Sequence, residues 1–246
     1  MSALFEELDY CPTEIGAISL RRRWEPRLGK DIYEIKLGDE HLMSDVFTVS
    51  EIALADLALS AVSGTGLRVL VGGLGMGYTA LAALKDPRVS SVAVVELLEP
   101  VIDWHRRGLL PVGDALHRDQ RVRFVQGDFF QLASSRDGFE PDQSARGYDA
   151  ILLDIDHSPE MLLDNRSRGF YQPEGLAALL PHLRPGGVFG LWSNEAKSGQ
   201  FTDRLRSVFP EAWAAPVIFR NPYDYSEIEQ TVYIGRVPVR DDGRKV

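Results

Sequence analysis

The sequence predicts a doubly wound α/β protein, a mostly parallel sheet preceded by a small β-rich N-terminal extension. Three observations carry this expectation. From residue 67 onward, solid apolar runs alternate with amphipathic stretches, as parallel strands buried on both faces and joined by helices require. VLVGGLGMGYTALAAL (69–84) places three glycines directly after the first of these strands, at the opening of a helix. Before it, residues 17–49 hold short, partly alternating stretches broken by Gly and Pro, which reads as an antiparallel unit.

Each element follows in order. AISLRRRW, DIYEIKLG and EHLMSDVF supply the N-terminal strands, and SEIALADLALSAV is a helix with Ser50 as its N-cap. LRVLVGG is a buried strand, GYTALAALKD a helix and SSVAVVEL a second strand. EPVIDWHRRGLL is then a helix, VRFVQGD a third strand and YDAILLDID a fourth. QPEGLAALLPHL reads as a helix leading to the strand GGVFGLWS. TVYIGRV alternates and adds a strand at or near an edge. The polar stretch ASSRDGFEPDQSARG (133–147) reads as a surface loop, and RDDGRKV as a frayed end. The expected organisation is a hairpin region with its linking helix over 1–60, a ligand-binding catalytic domain over 61–238, and a flexible tail over 239–246.

Bulk properties narrow the function classes. With 246 residues, 44% hydrophobic and 26% charged, the chain can bury a substantial core. A net charge of −9 repels phosphate backbones, so no nucleic-acid partner is expected, and the RRR triplet at 21–23 reads as a solvated strand or turn. Cys11 stands alone, so the chain forms no internal disulfide and no thiolate metal site; no metal is expected. MSALFEELDY lacks the basic and apolar regions of a signal peptide, and no apolar run is long enough to span a bilayer. A cytoplasmic protein without membrane contact is the expectation.

The ligand is suggested by strand ends. Gly73, Gly75 and Gly77 permit positive φ and close approach of a ligand to the backbone. Glu96 ends the next strand about twenty residues on, where a carboxylate accepts hydrogen bonds from both ribose hydroxyls of an adenosine group. A dinucleotide G-x-G-x-x-G would need a glycine where Tyr78 stands. G-x-G-x-G followed by an acidic strand end suits S-adenosylmethionine instead. Asp128 ends the third strand in VQGDFF, where it meets an adenine amino group. The candidate cofactor set is therefore Gly73, Gly75, Met76, Gly77, Glu96, Leu97, Asp128, Phe129 and Asp154.

LLDIDHSPE (152–160) delivers Asp154, Asp156 and His157 to the end of the fourth strand. An acidic turn is one reading, since Asp, Ser and Pro are turn formers. A catalytic set is the other, with Asp154 orienting an acceptor or taking its proton and Asp156 and His157 beside it. Asp154, Asp156, Glu160 and Asp164 together favour a cationic or amine acceptor, while Tyr223, Asp224 and Tyr225 of NPYDYSEIE are further candidate acceptor contacts.

The stretch from about 67 to 192 resembles the spermidine synthase (polyamine aminopropyltransferase) family within the class I methyltransferase fold. The matching segments are VLVGGLGMG, VVELLEPVIDWHRRGLLP, RVRFVQGDFF, YDAILLDIDHSP and FYQPEGLAALLPHLRPGGVF. The resemblance implies an adenosyl donor, a base at Asp154 and a homodimer formed through the N-terminal region. The chain departs from the pattern at informative places. Met76 stands where the family carries an Asp that receives the aminopropyl ammonium of decarboxylated S-adenosylmethionine. His157 replaces the second Asp of D-S-S-D-P, Ser158 precedes Pro159, and Glu34 after Tyr33 takes the place of an expected Gln. The function expected is an S-adenosylmethionine-dependent small-molecule methyltransferase, with an amine as acceptor. The alternatives are aminopropyl transfer from the decarboxylated donor and adenosyl binding without turnover.

Overall fold

The computed structural model describes residues 4–140 and 147–239. Four antiparallel strands come first, in the order β1 (Phe5–Thr13), β2 (Gly16–Glu25), β3 (Lys30–Leu37) and β4 (Glu40–Ser44). β1 is an addition to the sequence reading. Its side chains are almost all exposed or half-buried, so no alternation marks it. The register sets Glu7 opposite Arg21 and Glu6 opposite Arg22, and both pairs close as ion pairs. Arg23 pairs with Glu25 and Glu34. The basic triplet is thus answered by its own sheet, which supports the solvated-strand reading. Glu34, occupied in this way, borders neither cavity described below.

α1 (Val49–Ser60) follows, with Thr48 as its N-cap. Ser50 is buried inside the first turn and caps nothing, a correction to the expected start. A helix entered through two hydroxyl residues two positions apart offers two plausible caps, and packing of the first turn chooses between them.

The second sheet has seven strands. β5 (Leu67–Gly72), α2 (Tyr78–Lys85), β6 (Val89–Glu96), α3 (Glu99–Arg106), α4 (Gly113–Arg118), β7 (Val122–Gln126), α5 (Phe129–Ser134) and β8 (Tyr148–Leu153) lead the order. A 3-10 helix (Asn165–Tyr171), α6 (Pro173–Ala177), β9 (Leu183–Ser193), α7 (Gly199–Val208), β10 (Glu211–Arg220) and β11 (Glu227–Arg236) complete it. The strand order is β10-β11-β9-β8-β5-β6-β7, with β5 to β9 parallel and the last two strands antiparallel. β11 lies second from the edge and is buried, because β10 covers it. β10 holds the edge and carries Pro216, a residue an edge strand tolerates and a sequence reading counts against a strand.

Alternate residues of the central strands feed two cores. Val69, Val71, Ala150 and Leu152 join α1 and α2 on one face. Leu70, Ile151 and Leu153 meet Phe129, Phe170, Tyr171 and Phe189 on the other. QPEGLAALLPHL is not one helix: α6 is short and a 3-10 turn with Pro181 at its centre follows, since proline removes a helical N–H. The expected surface loop at 133–147 is also corrected in part. Phe139 and Glu140 are buried, and the Glu140 carboxylate accepts from the Tyr148 hydroxyl at 2.8 Å and from Arg68 at 3.2 Å. Residues 141–146 of that segment, and 240–246 of the expected tail, lie outside the described residues.

Candidate active site

The chain runs from β5 outward through β6 to β7, then returns to place β8 on the other side of β5. That reversal is the point at which open α/β sheets bind ligands, beyond the carboxyl ends of the strands. The register fixes what meets there. Gly72 pairs with Val95 of β6 and with Leu153 of β8, so Gly73, Glu96 and Asp154 emerge side by side. Gly73 has φ 92°, and a Cβ on it would lie 2.2 Å from the Asp154 carbonyl oxygen. No other residue fits between these strand ends.

A cavity of about 1040 Å³ opens at this place, bordered by Gly73, Gly75, Glu96, Leu97, Asp128, Phe129 and Asp154. That is room for a nucleoside with a side chain. Glu96 accepts from the Leu74 N–H at 2.9 Å and from the Leu98 N–H at 2.8 Å, which holds its carboxylate at the cavity wall. Burial raises its pKa and the backbone donors oppose that. Two carboxylate oxygens offer about four acceptor positions, so capacity remains for hydroxyls of a ligand. Asp128 caps α5 through Oδ1, which receives the Phe130 and Gln131 N–H groups, and among the described residues no hydrogen bond reaches Oδ2. Leu97 is exposed at the rim, whereas Phe129 is buried in the aromatic core.

Gly77 has a different task. It is the left-handed N-cap of α2, and a Cβ there would strike Leu116, His105 and Val112 on the side away from both cavities. Gly77 borders neither cavity, and helix packing by itself requires this glycine. His105 is buried beneath the loop and its Nε2 lies 2.9 Å from the Gly75 carbonyl oxygen. Desolvation holds its pKa down at about 4, so the ring is neutral and Nε2–H donates to that carbonyl. Sequence reasoning missed His105, because nothing in the helix pattern marks which of its residues faces the loop.

A second, narrow cavity of about 60 Å³ adjoins the first and shares Met43, Gly75 and Asp154 with it. Met76, Glu51, Tyr78, His157 and Trp192 also line it. Asp154 is pushed up to about 6 by desolvation, against a 2.6 Å hydrogen bond from the Thr79 hydroxyl. His157 is half-buried, 3.7 Å from Glu40 of β4, and its carbonyl accepts the Asn194 N–H.

Asp156 is placed otherwise than expected. It is buried and receives three donors: the Leu163 N–H at 2.6 Å, the Tyr171 hydroxyl at 2.7 Å and the Ser167 hydroxyl at 3.1 Å. With its lone pairs so committed, it ties down the segment bordering the large cavity, which it also lines. Tyr223, Asp224 and Tyr225 border neither cavity; Tyr223 packs on Phe47, and Asp224 bonds Ser226. Among the described residues no group of three His, Cys, Asp or Glu is arranged to hold a metal, and no helix is long and apolar enough to cross a membrane.

A mixed seven-stranded sheet with helices on both faces, preceded by an antiparallel sheet, is the class I methyltransferase-like fold. Within that class its fold is similar to that of spermidine synthases. The crystal structure of spermidine synthase from Thermotoga maritima superimposes with a TM-score of 0.69 at 16% identity, covering 95% of this chain and 73% of that one. A spermidine synthase in complex with the transition-state analogue AdoDATO gives 0.70 at 17%, covering 95% and 74%. In sequence the chain is similar to putrescine N-methyltransferase 2 of Nicotiana tabacum, 29% identical over 147 residues. That match takes in 58% of this chain but 38% of the tobacco protein, and 36% of its Nicotiana attenuata counterpart. No family model matches the chain.

Proposed function

We propose that the chain is an S-adenosylmethionine-dependent methyltransferase acting on a primary amine. The observation that carries this reading is one cavity bordered by a glycine loop, Glu96, Asp128 and Asp154, the last with its pKa raised by desolvation. The residues suit an adenosyl group: Glu96 keeps free acceptor capacity for ribose hydroxyls and Asp128 Oδ2 for the adenine amino group. The sulfonium of the bound donor supplies a methyl group already activated for transfer. What remains for the protein is to align the acceptor nitrogen, exclude water and take up a proton. Asp154, with a pKa near 6, suits that last role at neutral pH.

Met76 favours methyl over aminopropyl transfer. It borders the narrow cavity and adds no anion there beyond the Asp154 and Glu51 carboxylates. The names of the Nicotiana relatives support an amine, putrescine, as acceptor. Aminopropyl transfer is the second reading, favoured by the fold likeness to spermidine synthases. Calorimetry with S-adenosylmethionine, its decarboxylated form, methylthioadenosine and a nicotinamide dinucleotide tests the proposal. Tighter binding of the intact donor than of the decarboxylated one supports it. Preference for the decarboxylated donor selects the second reading, and binding of the dinucleotide alone rejects both.

A further inference from the structure

Glu51 occupies the first turn of α1, inside a helix that otherwise packs apolar residues against the sheet. Its side chain borders the narrow cavity together with that of Asp154. Among the described residues no N–H or O–H donates to the Glu51 carboxylate, and no Lys or Arg lines the cavity. Glu51 is half-buried, and a carboxylate there with no donor is costly unless a cation or a proton answers it. The groups around it supply neither. Thr79 spends its single hydroxyl proton on Asp154 at 2.6 Å, the shorter of its contacts, with the Glu51 carbonyl oxygen at 3.4 Å. Tyr78 from α2 has its pKa pushed up to about 12 by desolvation, so it acts only as a neutral hydroxyl. His157 leans toward Glu40 at 3.7 Å, and Met43, Met76 and Trp192 are uncharged.

We propose that Glu51 is the second half of an ammonium-binding site: protonated when the narrow cavity is empty, it ionises as a primary ammonium enters beside Asp154. Desolvation and the neighbouring Asp154 both raise the Glu51 pKa, in keeping with a protonated resting state. The entering cation reverses that balance, the carboxyl proton leaves to solvent, and two anionic groups then flank the nitrogen. Glu51 thereby selects a charged amine over a neutral alcohol of the same shape. This rests on the amine-transfer reading above and adds a residue and a proton count to it.

The test is calorimetry of the full chain saturated with methylthioadenosine. Putrescine is titrated at neutral pH in two buffers of different ionisation enthalpy, with 1,4-butanediol as the uncharged control. Wild type is expected to release about one proton per amine bound. Glu51→Gln should release none and bind putrescine roughly tenfold to hundredfold more weakly. Its affinity for methylthioadenosine should stay unchanged, which also shows that the variant is folded. Glu51→Asp, which keeps a carboxylate, should restore part of the proton release. Equal putrescine affinity and equal proton release in wild type and Glu51→Gln would overturn the assignment. So would methylthioadenosine binding with no putrescine binding, or with butanediol bound as well as putrescine. Failure of wild type to bind methylthioadenosine would instead count against the adenosyl-site reading itself.

Discussion

The Thr79 hydroxyl donates to Asp154 Oδ2 at 2.6 Å, and it is the only hydrogen bond to that carboxylate among the described residues. Burial favours the protonated acid, and this bond favours the carboxylate, the net pKa standing at about 6. Thr79→Val removes the donor and keeps the shape. The acid limb of kcat/KM should therefore move to higher pH, while methylthioadenosine affinity is unchanged. A limb that stays in place would mean that another group titrates in the rate.

Glu96 is predicted to hold the ribose of the donor. Its carboxylate already restrains the Leu74 and Leu98 N–H groups, so truncation to Ala would disturb the loop as well as the site. Glu96→Gln is the cleaner variant, retaining one acceptor oxygen. Loss of a hydrogen bond to a charged group is worth about 1.5–3 kcal/mol, so methylthioadenosine should bind at least tenfold more weakly. Unchanged affinity in calorimetry would remove Glu96 from the ligand.

The parallel strands and the residues at their ends were legible in the sequence because burial on both faces leaves continuous apolar runs, and because a glycine loop has few uses. Glu96, Asp128 and Asp154 lie where strand ends put them. What escaped depends on tertiary placement. Glu51 sits in an apolar helix, and only the packing of α1 turns it toward Asp154. Asp156 and Asp154 are two residues apart on the chain and both border the large cavity, yet Asp156 is tied by Leu163, Ser167 and Tyr171 while Asp154 also borders the narrow one. Pro216 hid the edge strand β10, and the exposed β1 offered no alternation.

Asp156 is predicted to matter for order rather than chemistry. Asp156→Asn replaces one acceptor oxygen with an NH2 donor, which then faces either the Leu163 N–H or the Ser167 and Tyr171 hydroxyls. Each buried group left unsatisfied costs about 1–3 kcal/mol. The variant should lose stability and show faster amide exchange at Leu163, with methylthioadenosine binding weakened through the loosened wall. Wild-type exchange at Leu163 would show that the three bonds do not hold this segment.

Met76→Asp is predicted to change donor choice. It would place a third carboxylate beside Glu51 and Asp154 in the narrow cavity, repelling the carboxylate of intact S-adenosylmethionine and attracting the ammonium of the decarboxylated form. Relative affinity for the two donors, measured by competition against methylthioadenosine, should shift toward the decarboxylated one. An unshifted ratio would mean that Met76 does not meet the donor's side chain.

Asp154→Asn should separate function from stability. The folded-state pKa of Asp154, about 6, lies above its ordinary 3.8, so the folded protein holds the ionised form at a cost. Stability associated with this group is full below pH 3.8 and declines as pH rises through about 6. A neutral Asn removes that cost, which at about 1.4 kcal/mol per pKa unit is on the order of 2–3 kcal/mol at neutral pH. For a chain of this size Tm should rise by several degrees at pH 7–8 (roughly 2–4 °C per kcal/mol), and the gain should vanish toward pH 4. Turnover should fall by about 10²–10⁴-fold, the usual worth of a general base, with donor affinity little changed. Scanning calorimetry across pH and an amine-dependent transfer assay read the two effects independently. A variant less stable than wild type at pH 7–8 would show that the Thr79 hydrogen bond outweighs desolvation, and wild-type turnover would leave Asp154 without the proton.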